Sequence, residues 1–333
     1  MSSTPRNPAD AQVELLANAI AERPNAAELH FQLAEAHWRA RDFAGYAAFF
    51  RRAYLLNPNL HILPRSSADT DPVESAEEQR DRARALIGQG VAYASVIAAL
   101  AIAEARLGNG EAVKYLMDYD RFLHHAVIDP PDGTSTEAFN RALADEIKSN
   151  LKFYDSPPDR AIRHAWRFDA LHLAGTPALR ALMRLLRQHV SHYMSRLPVD
   201  AAHPFTASRP PEFELYGWAV VSDGASYHKS HVHPDAWATG VYYVVEPEVS
   251  RAPGGDCGWL HIGPPPDLSD AADHDWKLRL IEPVPGSLVL MPAYFWHETK
   301  PMDVDQERIC VAFELQPSEL ALQNGEARDS VSR

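Results

Sequence analysis

A chain of 333 residues, at roughly 100 to 200 residues per domain, has room for two or three units that each bury a core, so a single small module is excluded. Its hydrophobic share of 46% and charged share of 23% are those of an ordinary globular protein and exclude wholesale disorder, collagen and a coiled-coil rod. Thirty-two Lys and Arg against 45 Asp and Glu leave a net charge of −13, which repels phosphate backbones and anionic lipid; with no long basic run to override it, neither nucleic acid nor a membrane surface is expected as a partner.

The first residues, MSSTPRNPADAQ, lack the apolar core of a signal peptide, and no later stretch reaches about 18 uninterrupted apolar residues. The longest candidate, Val91 to Ala103, is Ala-rich and too short. A cytoplasmic protein is expected, and the two cysteines, Cys257 and Cys310, agree: they form no disulfide framework and no C-x-x-C pair.

An internal repeat follows. Pro24-Asn25 recurs 34 residues on as Pro58-Asn59, and at the same shift Leu15 meets Phe49, Leu16 meets Phe50, Ala19 meets Ala53 and Ile20 meets Tyr54. Between the prolines, Leu29, Leu33 and Ala36 and then Tyr46, Phe50, Ala53 and Tyr54 fall at helical spacing, with Arg41-Asp42 as the turn. A 34-residue helical hairpin closed by Pro resembles a tetratricopeptide repeat, in which small residues such as Ala34 and Ala53 let paired helices approach. After a Pro/Ser/Asp-rich interruption at 62–75, a further helix pair is expected from Arg82 to Leu107 and from Glu111 to about His124, turning at Gly108-Asn109-Gly110. Such pairs stack into a concave surface that can hold a peptide, or they brace the domain that follows.

From about Pro130 the chain becomes punctuated by Pro and Gly. Residues 176 to 194 form one amphipathic helix, with Leu179, Leu182, Met183, Leu186, Val190 and Tyr193 on one face and a solvated row of Arg180, Arg184 and Arg187 on the other. Short strands are then expected at Phe213 to Val221, Thr239 to Val245, Gly258 to Ile262, Ser287 to Met291 and Ile309 to Leu315, as in an antiparallel sandwich or barrel. The last stretch, from 319, has no core pattern and is expected to be a flexible tail.

Most of the 16 histidines are scattered, but the segment YHKSHVHPD places His228, His231, His233 and Asp235 within eight residues, just before a strand. Side chains at i and i+2 of an extended segment share a face with Cα atoms roughly 7 Å apart, which suits two ligands of one ion. His231 with His233 meets this requirement, and so does His233 with Asp235. A remote third ligand is available in His297, after the apolar strand at Ser287. Three protein ligands leave positions open on an octahedral metal, as non-haem Fe(II) oxygen chemistry requires, whereas a closed structural zinc site takes four. Arg308, eleven residues beyond His297, opens a strand whose two faces are both largely apolar, so its guanidinium needs an anion: a carboxylate ligand or a salt bridge to an acidic side chain.

These motifs, H-x-H-P, T-G-V-Y-Y-V, G-x-L-x-x-x-P at Gly258 to Pro264, P-G-S-L-V-L-M-P, W-H and R-I-C-V-A-F, resemble those of the 2-oxoglutarate/Fe(II)-dependent oxygenases that share the double-stranded β-helix of prolyl hydroxylases. The resemblance covers roughly residues 137 to 316. It implies a jelly-roll core with iron at its mouth and places His231 and His297 among the ligands, with His233 where an Asp is usual. It also implies that Arg308 grips the distal carboxylate of 2-oxoglutarate, assisted by the Tyr243 hydroxyl. His231, His233 and His297 are then the metal set, with Asp235 as the alternative to a histidine of the pair. Trp237 and Trp296 flank the motifs as pocket lining or as core.

The resulting expectation is an α+β chain: all-α helical-hairpin repeats over 1–128, a double-stranded β-helix domain with supporting helices over 129–318 and a flexible tail over 319–333. It acts as a dioxygenase with Fe(II), 2-oxoglutarate and O2, ascorbate being a supportive reductant, on a peptide, protein or small-molecule substrate, and the repeats offer a site for a protein partner. Two rival readings are a cupin-like metalloprotein that does not use 2-oxoglutarate and a non-catalytic scaffold built on the repeats.

Overall fold

The structure, a computed structural model, describes residues 8–58, 74–150, 154–155, 162–171, 175–251, 254–268, 276–302 and 304–318. The tail at 319–333 lies outside the described residues, as does the interruption at 62–75 except for its last two positions.

Among the described residues seven helices come first: α1 (Pro8–Glu22), α2 (Ala27–Arg39), α3 (Phe43–Leu56), α4 (Ala76–Gly88), α5 (Ala94–Arg106), α6 (Gly110–Leu116) and α7 (Tyr119–Phe122). The α2–α3 hairpin closes through Arg41, at a φ of 57°, and Asp42, whose side chain caps α3 by accepting from the Gly45 amide at 3.0 Å. Ala34 and Ala53 are fully buried, as a close helix pair requires. The helix expected from Arg82 to Leu107 is instead two. Gly90, at a φ of +74°, takes the left-handed conformation open to glycine, and the chain breaks between α4 and α5. The helix expected from Glu111 to His124 also divides, because Asp118 caps a new start at α7 and the chain then turns into a strand.

The remaining elements are β1 (His124–Val127), α8 (Thr136–Asn150), β2 (Tyr154–Asp155), β3 (Ile162–Phe168), α9 (Pro177–Arg196), α10 (Pro204–Ala207), β4 (Phe213–His228), β5 (Ala238–Val245), β6 (Leu260–Ile262), β7 (Arg279–Ile281), β8 (Ser287–Pro292), β9 (His297–Thr299) and β10 (Val304–Pro317). The chain is thus the mixed helix-and-sheet protein expected. One antiparallel sheet runs β1-β8-β5-β10-β4-β3-β2, and a second runs β7-β6-β9. The five expected strands correspond to β4, β5, β6, β8 and β10. The other five are two to seven residues long and carry little alternation.

β1 pairs with β8, His124 opposite Leu290, so a strand of the main sheet lies inside the segment expected to be purely helical. One apolar core also runs without interruption from Ala34 and Tyr54 through α5 to Val311 and Leu315. The helices and the sheet are therefore packed as one body. Among the described residues no helix is long and apolar enough to cross a membrane, and the Ala-rich α5 is a buried core helix.

Alternation in β10 sorts its residues between two faces. Ile309, Val311, Phe313 and Leu315 face one way, while Arg308, Cys310, Ala312 and Glu314 face the other. On β5, Tyr243 lies opposite Cys310 and shares the Arg308 face, whereas Tyr242 points to the opposite side and donates its hydroxyl to Asn140 of α8 at 2.7 Å. Gly240 permits the close approach of β5 and β8. A Cβ there would lie 2.5 Å from the Val289 carbonyl oxygen and 2.5 Å from Phe313 Cζ.

Candidate metal centre

The segment after β4 is held by backbone hydrogen bonds on several sides. His231 and His297 exchange reciprocal amide-to-carbonyl bonds at 3.0 Å each, the His233 amide donates to the Ala293 carbonyl at 2.9 Å, and the Trp237 amide donates to the Leu315 carbonyl at 2.9 Å. This strapping joins the first sheet to β9 of the second. His231, His233 and His297 consequently converge, with one ring nitrogen from each lying within 4.8 Å of the other two. Nε2 of His233 and Nε2 of His297 are 3.2 Å apart.

The outer nitrogen of each ring is already engaged. His231 Nδ1 lies 2.7 Å from the Lys229 carbonyl, His297 Nδ1 2.9 Å from the Phe295 carbonyl and His233 Nδ1 2.7 Å from Glu314 Oε1. Carbonyl and carboxylate oxygens only accept, so each Nδ1 carries a hydrogen and each ring turns its Nε2 inward. Burial, reinforced by the charge of His233, pushes His231 down to about 3, and burial with His231 and His233 holds His297 well below the usual imidazole range. Two ring nitrogens 3.2 Å apart need a shared proton or a cation between them, and a borderline metal ion suits three imidazoles. The donor set therefore fits a metal. Outer nitrogens fixed by hydrogen bonds are the arrangement that orients ligating histidines.

Asp235 is not part of the convergent group; its charge acts instead on the Tyr54 hydroxyl of α3. Arg308 is buried at 5% exposure and pairs through Nε with Glu246 at 3.2 Å, beneath the Tyr243 ring at 5.8 Å. Burial works against the guanidinium charge, but Glu246 keeps it firmly protonated; burial also raises the Tyr243 hydroxyl, against the pull of Arg308. His228 is held by Thr299, whose hydroxyl oxygen accepts from the His228 amide at 2.8 Å. Burial, together with His231, Arg308 and His233, keeps it neutral. Trp237 stacks on Phe205 at 4.3 Å and donates to the Phe205 carbonyl at 2.9 Å, which makes it a core residue. Trp296 packs partly buried against the same core.

Two carboxylates escaped the sequence reading. Glu314 could have been found by counting alternate positions along β10 from Arg308, since both share a face with the site. Burial alone would raise its carboxyl, yet the hydrogen bond from His233, with Gln316 and Arg167, brings it below the usual carboxylate range. Glu246, at the end of β5, had no comparable signal.

Residues 216–314 match the family model described as "Putative 2OG-Fe(II) oxygenase". That family uses Fe(II), 2-oxoglutarate and O2, and the three-histidine cluster fits iron binding. The matched segment contains all three clustered histidines together with Tyr243, Glu246, Arg308 and Glu314. No curated protein matches the chain. Among solved structures, a prolyl hydroxylase from Trichoplax adhaerens in complex with a hypoxia inducible factor oxygen degradation domain peptide fragment is 17% identical, with 66% of this chain and 93% of that chain covered at a TM-score of 0.43. A prolyl-4-hydroxylase from Pseudomonas putida is 16% identical, with 60% and 95% covered at 0.40. An oxidoreductase of the 2OG-Fe(II) oxygenase family from Burkholderia pseudomallei is 14% identical, with 62% and 91% covered at 0.38.

Proposed function

We propose that this protein is an Fe(II)- and 2-oxoglutarate-dependent dioxygenase that hydroxylates a peptide or protein side chain or a small metabolite in the cytoplasm. The observation that carries the reading is the convergence of three inward imidazole nitrogens, each outer nitrogen being already bonded. His231, His233 and His297 are the ligands. Iron and 2-oxoglutarate, when bound, supply oxidation of a substrate C–H bond coupled to decarboxylation of the cosubstrate to succinate.

Arg308 binds the distal carboxylate. Its planar fork has five N–H donors, and the contact with Glu246 runs through Nε, so the terminal amino groups are the donors that a second carboxylate would meet. Tyr243, on the same face, adds a neutral hydroxyl donor. The helical hairpins are read as tetratricopeptide-like repeats that offer a peptide surface beside the site.

A second reading rests on Glu246. If the ion pair is the whole role of Arg308, the centre is a cupin-like metal site that does not use 2-oxoglutarate. Purified protein with Fe(II), ascorbate and 2-oxoglutarate is expected to release succinate without added substrate. His231→Ala with His297→Ala abolishes that turnover, and Arg308→Ala lowers it at least tenfold. Absence of turnover in the wild-type protein overturns the proposal, and turnover that survives Arg308→Ala overturns the role of the guanidinium.

A further inference from the structure

Three neutral imidazoles bring no negative charge to a dication, whereas the common non-haem iron site has two histidines and one carboxylate in direct contact with the metal. Here a carboxylate stands one hydrogen bond away. Glu314 Oε1 accepts from His233 Nδ1 at 2.7 Å, and Glu314 Oε2 accepts from Gln316 Nε2 at 2.8 Å. The glutamate side chain is only 12% exposed, and Gln316 is 2% exposed. A buried carboxylate whose hydrogen-bond partners are one imidazole and one amide depends on positive charge nearby, which Arg167 supplies in part and a metal on the same imidazole would add to. The far nitrogen of that same imidazole is the one turned toward the other two rings.

We infer that Glu314 is the positioning residue of the centre: through His233 it fixes which nitrogen faces the metal and supplies the charge that a directly coordinating carboxylate would supply. The inference rests on the reading of His231, His233 and His297 as metal ligands. Glu314 does not touch the metal. It raises the basicity of the His233 ring by accepting its Nδ1 hydrogen, and Gln316 holds the other carboxylate oxygen. β10 therefore supports both ends of the site, with Arg308 and Glu314 on one face six residues apart.

The test is anaerobic titration of metal-free full-length protein with Co(II), followed by its ligand-field absorption. Wild-type protein is expected to bind with a spectrum of low-coordinate nitrogen ligation. Glu314→Gln keeps the shape but not the charge. It should weaken Co(II) binding by about 10- to 100-fold and shift the bands, with the metal-free melting temperature showing that the variant is folded. In a His233→Asp background, where a carboxylate enters the metal's own shell, Glu314→Gln should change affinity by less than about threefold, because no imidazole remains to be polarised. If Glu314→Gln does not fold, Glu314→Asp is compared with Glu314→Asn, and the charged member should bind about tenfold more tightly. Wild-type affinity and spectrum in Glu314→Gln, or equal affinities in the Asp and Asn pair, overturn the inference. A wild-type protein that takes up no Co(II) overturns the metal-centre reading itself, which is a separate result.

Discussion

The hydroxyl of Tyr54, at the end of α3, donates to the carbonyl oxygen of Pro234, 180 residues further along the chain and next to His233. The Tyr54 ring is 1% exposed and stacks on Tyr93 at 4.0 Å with the planes 5° apart, and burial raises its hydroxyl well above the usual range. The helical layer thus grips the loop that carries two of the clustered histidines. Tyr54→Phe leaves a half-buried carbonyl without its donor, at a cost of about 1 kcal/mol. The expected result is a lower melting temperature and a Co(II) affinity several-fold weaker than wild type. A lower melting temperature with unchanged Co(II) affinity would mean that Tyr54 braces the fold without touching the centre.

How far the sequence could be read depended on how local each signal was. His231 and His233 stand two apart before a strand, and His297 follows an apolar run, so strand periodicity alone suggested a shared ion. Helical spacing around Tyr46, Phe50 and Tyr54 gave the hairpin, but nothing in it said that the Tyr54 hydroxyl would reach Pro234, because that contact exists only once helices and sheet share one core. β9 was invisible for a different reason: His297, Glu298 and Thr299 make a three-residue strand, too short for alternation to register. The run from Arg82 to Leu107 looked continuous because α4 and α5 are both rich in helix formers. The left-handed break at Gly90 depends on one backbone angle, which the surrounding composition obscured.

Gly240 shows how tightly β5 and β8 are joined. Its ideal Cβ position is 2.5 Å from a backbone oxygen, Val289 O, as well as from Phe313 Cζ, and a backbone atom in a buried strand cannot step aside as a side chain can. Gly240→Ala is therefore expected to destabilise the protein by about 1 to 3 kcal/mol or more, read as a lower urea midpoint. Two steps along the same ladder Ala238 lies opposite Pro292, next to Ala293, whose carbonyl accepts from the His233 amide, so metal affinity should fall with it. Wild-type stability in this variant would show that the two strands are further apart than described.

His203 gives the protein a pH dependence away from the metal centre. It is fully buried beside Tyr115 and Phe122, its Nδ1 accepts from the Phe205 amide at 3.2 Å and its Nε2 hydrogen goes to the Tyr115 carbonyl at 3.1 Å. Burial first, then Arg121, brings its pKa down to about 4 from 6.5, against the opposing pull of the Tyr115 carbonyl, Asp200 and Asp118. Between those values the unfolded chain holds a proton that the folded chain refuses. Stability is full above pH 6.5 and falls as the pH drops toward 4, by up to about 1.4 kcal/mol per unit. Urea unfolding at pH 7 and pH 5 should show a larger loss in the wild-type protein than in His203→Gln. Parallel losses in the two proteins would remove His203 as the cause.

Arg308 and Glu246 raise a competition that can be measured. Both are buried, and removing one partner of such a pair leaves the other charge uncompensated, at a cost of about 3 to 5 kcal/mol. Glu246→Gln should therefore lower the melting temperature of the metal-loaded protein. If the guanidinium also serves the distal carboxylate of 2-oxoglutarate, that carboxylate can take the place of the lost anion, and Glu246 no longer repels it. Added 2-oxoglutarate is then expected to raise the melting temperature of Glu246→Gln more than that of the wild-type protein, since a ligand that binds only the folded state stabilises it by the logarithm of one plus its concentration over its Kd. Succinate, a dicarboxylate without the keto group, should do so less. A variant that 2-oxoglutarate leaves unmoved would reduce Arg308 to one half of a structural ion pair.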